Sequence, residues 1–215
     1  MKITDIRQAV KNQNRVNVFV DNEYSFSLDI AQLVDFKLKI GTELSQTDIN
    51  KYQHASSYGK VYQRTLEWVL SRPRSVRETE DYLKKKQFDL KKQEDKNVAL
   101  ENEEIEKIIT TLINKKYLDD ETYAKYYVEN RFTKKGISTK RLRMELNKKG
   151  IANSIIEEVL SSGTRNDEEE IAKIIAKKRS KYDDEKLIQY LVRQGFDFEL
   201  VRNLVQSDSD SCGTD

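Results

Sequence analysis

Residues 145–151 read ELNKKGI, residues 82–88 read YLKKKQF and residues 190–196 read YLVRQGF. Each copy runs from a leucine through three mostly basic or polar residues to Gly or Gln, then to a large apolar residue. Such a run is a helix C-terminus. Gly150 and Gly195 can take the left-handed conformation just past the last turn, and the apolar residue after them packs back on the helix. Lysines in the last turn suit the negative end of the helix dipole.

The flanks repeat as well. Ile155–Leu160 and Leu200–Val205 follow the second and third copies as short amphipathic helices. The first copy has Ile105–Leu112 instead, delayed by the polar insertion Asp89–Glu101. A further helix precedes each copy, over residues 60–71, 121–132 and 167–179. Three tandem units of three helices are therefore expected across residues 58–207. Units that touch only their neighbours make an elongated, curved body with an extended binding face.

Upstream the hydrophobic period is 2. Val16, Val18 and Val20 alternate along Arg15–Val20, Asp21-Asn22-Glu23 is a turn signal, and Tyr24, Phe26 and Leu28 alternate again. This predicts a β-hairpin, with each set of three side chains on one face of its strand. Ile3–Val10 can add a third strand, and Leu33–Ile40 with Gly41 a short helix or strand and a turn. From Asp48 the period becomes 3.6, and one long helix carrying Val61, Trp68 and Val69 should stop before Pro73. Ser75 and Glu78 form a capping box opening the next helix, which buries Val76, Thr79 and Leu83 and ends around Gln87-Phe88. The expected organisation is a small β module over 1–50, helical repeats over 51–118, 119–163 and 164–207, and a disordered acidic tail over 208–215.

Composition agrees with a mainly α chain. Among 215 residues only seven are Gly and one is Pro, and 35% are charged. The lone cysteine, Cys212, allows no disulfide within the chain. No apolar signal core opens the sequence and no run approaches the roughly 18 apolar residues of a membrane span, so a cytoplasmic protein without membrane contact is expected.

Enzymatic chemistry finds little to use. A Ser-His-Asp arrangement needs a histidine, and the only one, His54, has no nucleophile beside it. Zinc needs Cys and His clusters. Tyr58-Gly59-Lys60-Val61 lacks the glycines and the hydroxyl of a phosphate-cradling loop. The triplets Asp119-Asp120-Glu121 and Asp183-Asp184-Glu185 could hold metal ions for a nuclease. Capping is the plainer reading, because each stands where a helix should begin. No catalytic residue, cofactor or metal is assigned.

The cations are more telling. Residues 131–149 hold eight cations against Glu145 alone, and residues 60–88 hold eight against four acids. A basic stripe on a helical surface suits a phosphate backbone or an acidic protein groove, although a charge run is often just a solvated face. Tyr58, Tyr62, Tyr82, Tyr123, Tyr126 and Tyr127 lie among these charges. They could stack bases, but their helical spacing favours core positions, and Trp68 is read as core too.

LSRPRS at 70–75, YLKKKQF at 82–88, YLDDETYA at 117–124, Asn130-Arg131, Gly136 and ELNKKGI at 145–151 resemble, in order and spacing, the RecX regulatory proteins. The N-terminal hairpin resembles the small β extension of some longer members. Departures are Gln87, where the family usually has Gly, and the insertion after Phe88. The resemblance implies three tandem three-helix units and a role in modulating RecA in DNA recombination, repair and the SOS response, most often by inhibiting its recombinase and ATPase activities. Implied partners are RecA and single-stranded DNA within its filament, or free DNA, with the protein itself a monomer. On that reading the contact face is assigned to Arg72, Arg74, Arg131, Lys134, Lys135, Lys140, Arg141 and Arg143. A DNA-binding helical-repeat protein with no RecA role, and a nuclease using the acidic triplets, are the alternatives.

Overall fold

The computed structural model describes residues 1–10, 12–92, 100–163 and 165–212. Three strands come first: β1 (Ile3–Ala9), β2 (Asn12–Val20) and β3 (Glu23–Asp29), paired antiparallel in that order. Ten helices follow among the described residues, and the chain divides into two compact units. One is Met1–Arg72 with Thr79–Tyr117; the other is Pro73–Glu78 with everything from Leu118.

In the first unit the hairpin turns on Asp21 and Asn22, both left-handed at φ 49° and 72°. A two-residue turn of that hand matches the twist of the strands it joins. Val18, Val20, Phe26 and Leu28 are buried with Ile3, Leu38, Leu44, Ile49 and Tyr52. Tyr24 departs from the expected face. Val18 pairs with Phe26, but Phe19 pairs with Tyr24, so the strand bulges at Ser25. The extra residue shifts the alternation by one, putting Tyr24 on the outer side beside Phe19 and leaving it 55% exposed. Val16 is only half-buried.

Helix α1 (Ile30–Asp35) starts ahead of the expected Leu33 because Asp29 and Gln32 form a capping box. Helix α2 (Gln46–Leu70) opens on another, between Ser45 and Asp48, and ends ahead of Pro73. Helix α3 (Val76–Lys91) buries Thr79 and Leu83 but leaves Val76 half-buried. It does not stop at Gln87-Phe88. Without a glycine to turn left-handed, the helix runs on, and Phe88 is 59% exposed instead of packing back. Its place is taken by Leu100, 1% exposed, two residues before α4 (Asn102–Asn114). Gln87 Nε2 donates to the Leu100 carbonyl at 2.8 Å and ties the two helices together. Trp68 is half-buried, stacked flat on Tyr82.

The second unit contains two three-helix sets. Helices α5 (Asp120–Asn130), α6 (Thr139–Lys148) and α7 (Asn153–Ser162) enclose Tyr123, Val128, Leu142, Leu146, Ile151 and Ile156. Helices α8 (Asp167–Lys178), α9 (Asp184–Arg193) and α10 (Phe198–Cys212) enclose Ile171, Ile174, Leu187, Leu191, Phe196 and Val201. Gly150 and Gly195 are left-handed at φ 80° and 94°, and Ile151 and Phe196 behind them are 3% and 4% exposed. Helix α10 takes in residues 208–212 of the segment expected to be a disordered tail; Arg179 holds Asp208 at 3.0 Å. Residues 213–215 of that tail lie outside the described residues, as do residues 93–99 of the polar insertion.

Within the second unit the same pair of bonds occurs twice. The Val76 amide donates to Asp120 at 2.8 Å, and the Ser75 hydroxyl donates to the Lys149 carbonyl at 2.9 Å. The Thr139 amide donates to Asp167 at 2.7 Å, and the Ser138 hydroxyl to the Gln194 carbonyl at 2.8 Å.

Candidate contact face

Six of the eight assigned cations fall between the end of α5 and the middle of α6. The chain leaves α5 at Arg131 and turns sharply, with Phe132 left-handed at φ 48° and Gly136 at φ 77°. Gly136 is needed there because a Cβ would sit 2.7 Å from the Glu170 carbonyl oxygen. Ser138 then caps α6 by accepting the Arg141 amide at 3.2 Å. The loop is fastened from behind. Glu170, 2% exposed, accepts the Ile137 amide at 3.0 Å and pairs with Arg165, whose guanidinium also donates to the Val128 and Arg131 carbonyls at 2.6 Å each.

The cations divide by what they already touch. Arg131 forms a fork with Glu145, at 2.7 Å through Nε and 3.1 Å through Nη2. The Tyr127 hydroxyl donates to the same carboxylate at 2.7 Å, and Arg141 adds a contact at 3.4 Å. These bonds hold the Glu145 carboxyl down to about 2, the Arg131 hydrogen bond contributing most. Desolvation and the bond to Glu145 push the Tyr127 phenol well above its ordinary range. The Arg131 guanidinium lies 3.6 Å over the Phe132 ring, a cation–π contact. Arg143 makes its own fork with Glu157, at 2.6 and 2.8 Å.

Lys134, Lys135 and Lys140 are exposed and form no ion pair among the described residues. Arg72 and Arg74 flank Pro73, are half-buried, and belong to different units. Counting along the chain overstated the free charge. Glu157 answers Arg143 and Glu78 answers Lys149 at 2.8 Å, and both acids come from outside the basic stretch. Phe132, ringed by Arg131, Lys135 and Arg141, has no mark in the sequence, because an aromatic beside a cation is too common a pair to signal anything.

Both acidic triplets cap helices. Asp119 accepts the Thr122 amide at 3.1 Å and Asp183 the Lys186 amide at 2.9 Å. His54 lies on α2 within 3.6 Å of Glu104. Tyr123 is core, 1% exposed, while Tyr126 and Tyr127 are half-buried. Among the described residues no group of three His, Cys, Asp or Glu could hold a metal, and no helix is long and apolar enough to cross a membrane.

Residues 1–45 match the family model of the regulatory protein RecX N-terminal domain, and residues 119–160 that of the RecX second three-helix domain. The regulatory protein RecX of Bacillus licheniformis is 34% identical over 95% of this chain and 76% of its own length. That of Bacillus subtilis is 35% identical over 93% of this chain and 74% of its own. A crystal structure of a regulatory protein RecX superposes with a TM-score of 0.69 at 25% identity, covering 96% of this chain and 98% of that one. RecX from Lactobacillus salivarius shares the fold at a TM-score of 0.55 and 24% identity, over 71% of this chain and 97% of that one. Fold, ordered motifs and relatives agree, and the chain belongs to the RecX family of regulatory proteins.

Proposed function

We propose that this protein binds RecA and its filament on single-stranded DNA in the cytoplasm and lowers recombinase and ATPase activity in recombination and repair, catalysing nothing itself. The observation that carries the reading is the group Lys134, Lys135 and Lys140, exposed and without a carboxylate among the described residues, on a loop and helix start fastened by Arg165 and Glu170. Cations held on a rigid base and not neutralised by their own chain suit an acidic groove or a phosphate backbone. Arg143 joins them cheaply: its pair with Glu157 is solvent-exposed and weakened by screening, so a partner's anion can replace it. Arg72, Arg74, Arg131 and Arg141 complete the contact set, with Arg131 chiefly holding the loop.

The test adds the protein, well below one per RecA, to cognate RecA on single-stranded DNA and follows ATP hydrolysis. A fall in rate at that ratio is expected. An unchanged rate, with the protein folded and RecA active, overturns the inhibitor reading and leaves DNA binding alone as the function.

A further inference from the structure

The first unit has a cleft among β3, α2 and α3 that the RecA reading does not use. Its wider part, about 400 Å³, is lined by Tyr24, Lys60 and Arg64. It continues into a part of about 240 Å³ bounded by Tyr82, Lys86 and Asp89, with Val61, Arg64 and Leu90 common to both.

Lys60 and Arg64 are exposed on adjacent turns of α2 and enter no ion pair among the described residues. Arg15 lies behind them, its Nη2 committed to the Ser27 carbonyl at 2.7 Å. Partial desolvation, then the charges of Arg15 and Arg64, lower the Lys60 ammonium below its ordinary pKa. Like charges gathered without a counter-ion repel, and a bound anion relieves that repulsion. Asp89 is the acid on the lining, at the narrow end. The bulge at Ser25 turns Tyr24 outward at the wide end, 55% exposed. At the other, Tyr82 is pinned by Trp68, ring centroids 4.5 Å apart and 8° from parallel, with Lys86 Nζ 5.4 Å from its centre.

We propose that this cleft binds a nucleotide unit, its phosphate on Lys60 and Arg64 and its base against Tyr24. The volume suits a ligand of that size. Cations paired with an open aromatic ring are the usual means of holding a backbone phosphate and a stacked base together. The unit is either a free nucleotide or part of a single strand. The assignment gives the β-sheet a task, since β3 supplies the stacking ring, and it stands whether or not the protein inhibits RecA.

Trp68 is the only tryptophan and stacks on Tyr82, which bounds the narrow part of the cleft, so its emission reports occupancy. The full chain is titrated with ATP, with a short oligo-dT strand, and with a glutamate peptide. A saturable change with a nucleotide ligand and none with the peptide is expected. Lys60→Glu with Arg64→Glu should weaken it at least tenfold at unchanged circular dichroism, and cut the slope of log affinity against log salt for the strand by roughly 1.4. Tyr24→Ser should weaken it too. A response to ATP marks a free nucleotide as ligand; a response to the strand alone marks single-stranded DNA. The proposal is overturned if neither nucleotide ligand changes the emission, if the peptide acts equally well, or if the Lys60/Arg64 variant titrates like the wild type.

Discussion

The Ser138 hydroxyl donates to the Gln194 carbonyl oxygen at 2.8 Å while accepting the Arg141 amide at 3.2 Å. One buried oxygen thus satisfies an orphan donor at the start of α6 and an orphan acceptor at the end of α9. Ser75 does the same, donating to the Lys149 carbonyl and accepting the Glu78 amide at 3.0 Å.

Ser138→Ala should therefore cost more than an ordinary cap. It removes the cap and leaves a half-buried carbonyl unsatisfied, a combined loss of about 2 kcal/mol. Thermal unfolding followed by circular dichroism should show a midpoint lower by about 4–8 °C. A shift below about 1 °C would mean that the hydroxyl does not join the two sets.

Glu145 sets an acid limb. Its carboxyl is held at about 2 in the folded chain against an ordinary 4.5. A depressed carboxyl contributes stability that is fully present above its unfolded value and is lost as pH falls through the folded one. Stability should thus decline from about pH 4.5 toward pH 2, partly through this residue. Glu145→Gln should be less stable than the wild type at pH 7, and the difference should shrink toward pH 2. A difference in unfolding free energy that stays constant over that range would remove Glu145 from the acid limb.

Reversing charges should separate contact from scaffold. Lys134→Glu, Lys135→Glu and Lys140→Glu together should leave the melting midpoint nearly unchanged, because these side chains are exposed and form no ion pair among the described residues. They should abolish most of the effect on RecA ATP hydrolysis. Arg131→Glu should lower the midpoint instead, since it sets two carboxylates against each other beside Tyr127. If the triple variant inhibits as well as the wild type, these lysines are not the contact.

Local chemistry was legible in the sequence and distant partners were not. The left-handed Gly150 and Gly195, the caps at Asp119 and Asp183 and the hairpin turn at Asp21-Asn22 each depend on neighbours within a few residues. Ser75 reads as a cap from Glu78 three residues on, but its second partner, Lys149, is 74 residues away and has no local mark. Glu157 and Glu78 neutralise cations that a linear count leaves free, for the same reason. Tyr24 faces outward against its alternating pattern because a bulge at Ser25 leaves that pattern intact while inverting its meaning beyond that point.

The first helix set shows how such an error can be measured. By sequence, Phe88 is the counterpart of Ile151 and Phe196, because it follows the same basic run. By structure the counterpart is Leu100, two residues before α4, as Ile151 stands two before α7 and Phe196 two before α10. What fixes the position is the start of the next helix, and the insertion separates that start from the end of α3. Leu100→Ala should then cost about 2–4 kcal/mol, as removal of a fully buried leucine does, while Phe88→Ala should change stability by under about 0.5 kcal/mol. Urea unfolding of the two variants ranks them directly. The reverse order would put Phe88 back in the core and shorten α3 to the length its sequence pattern suggests.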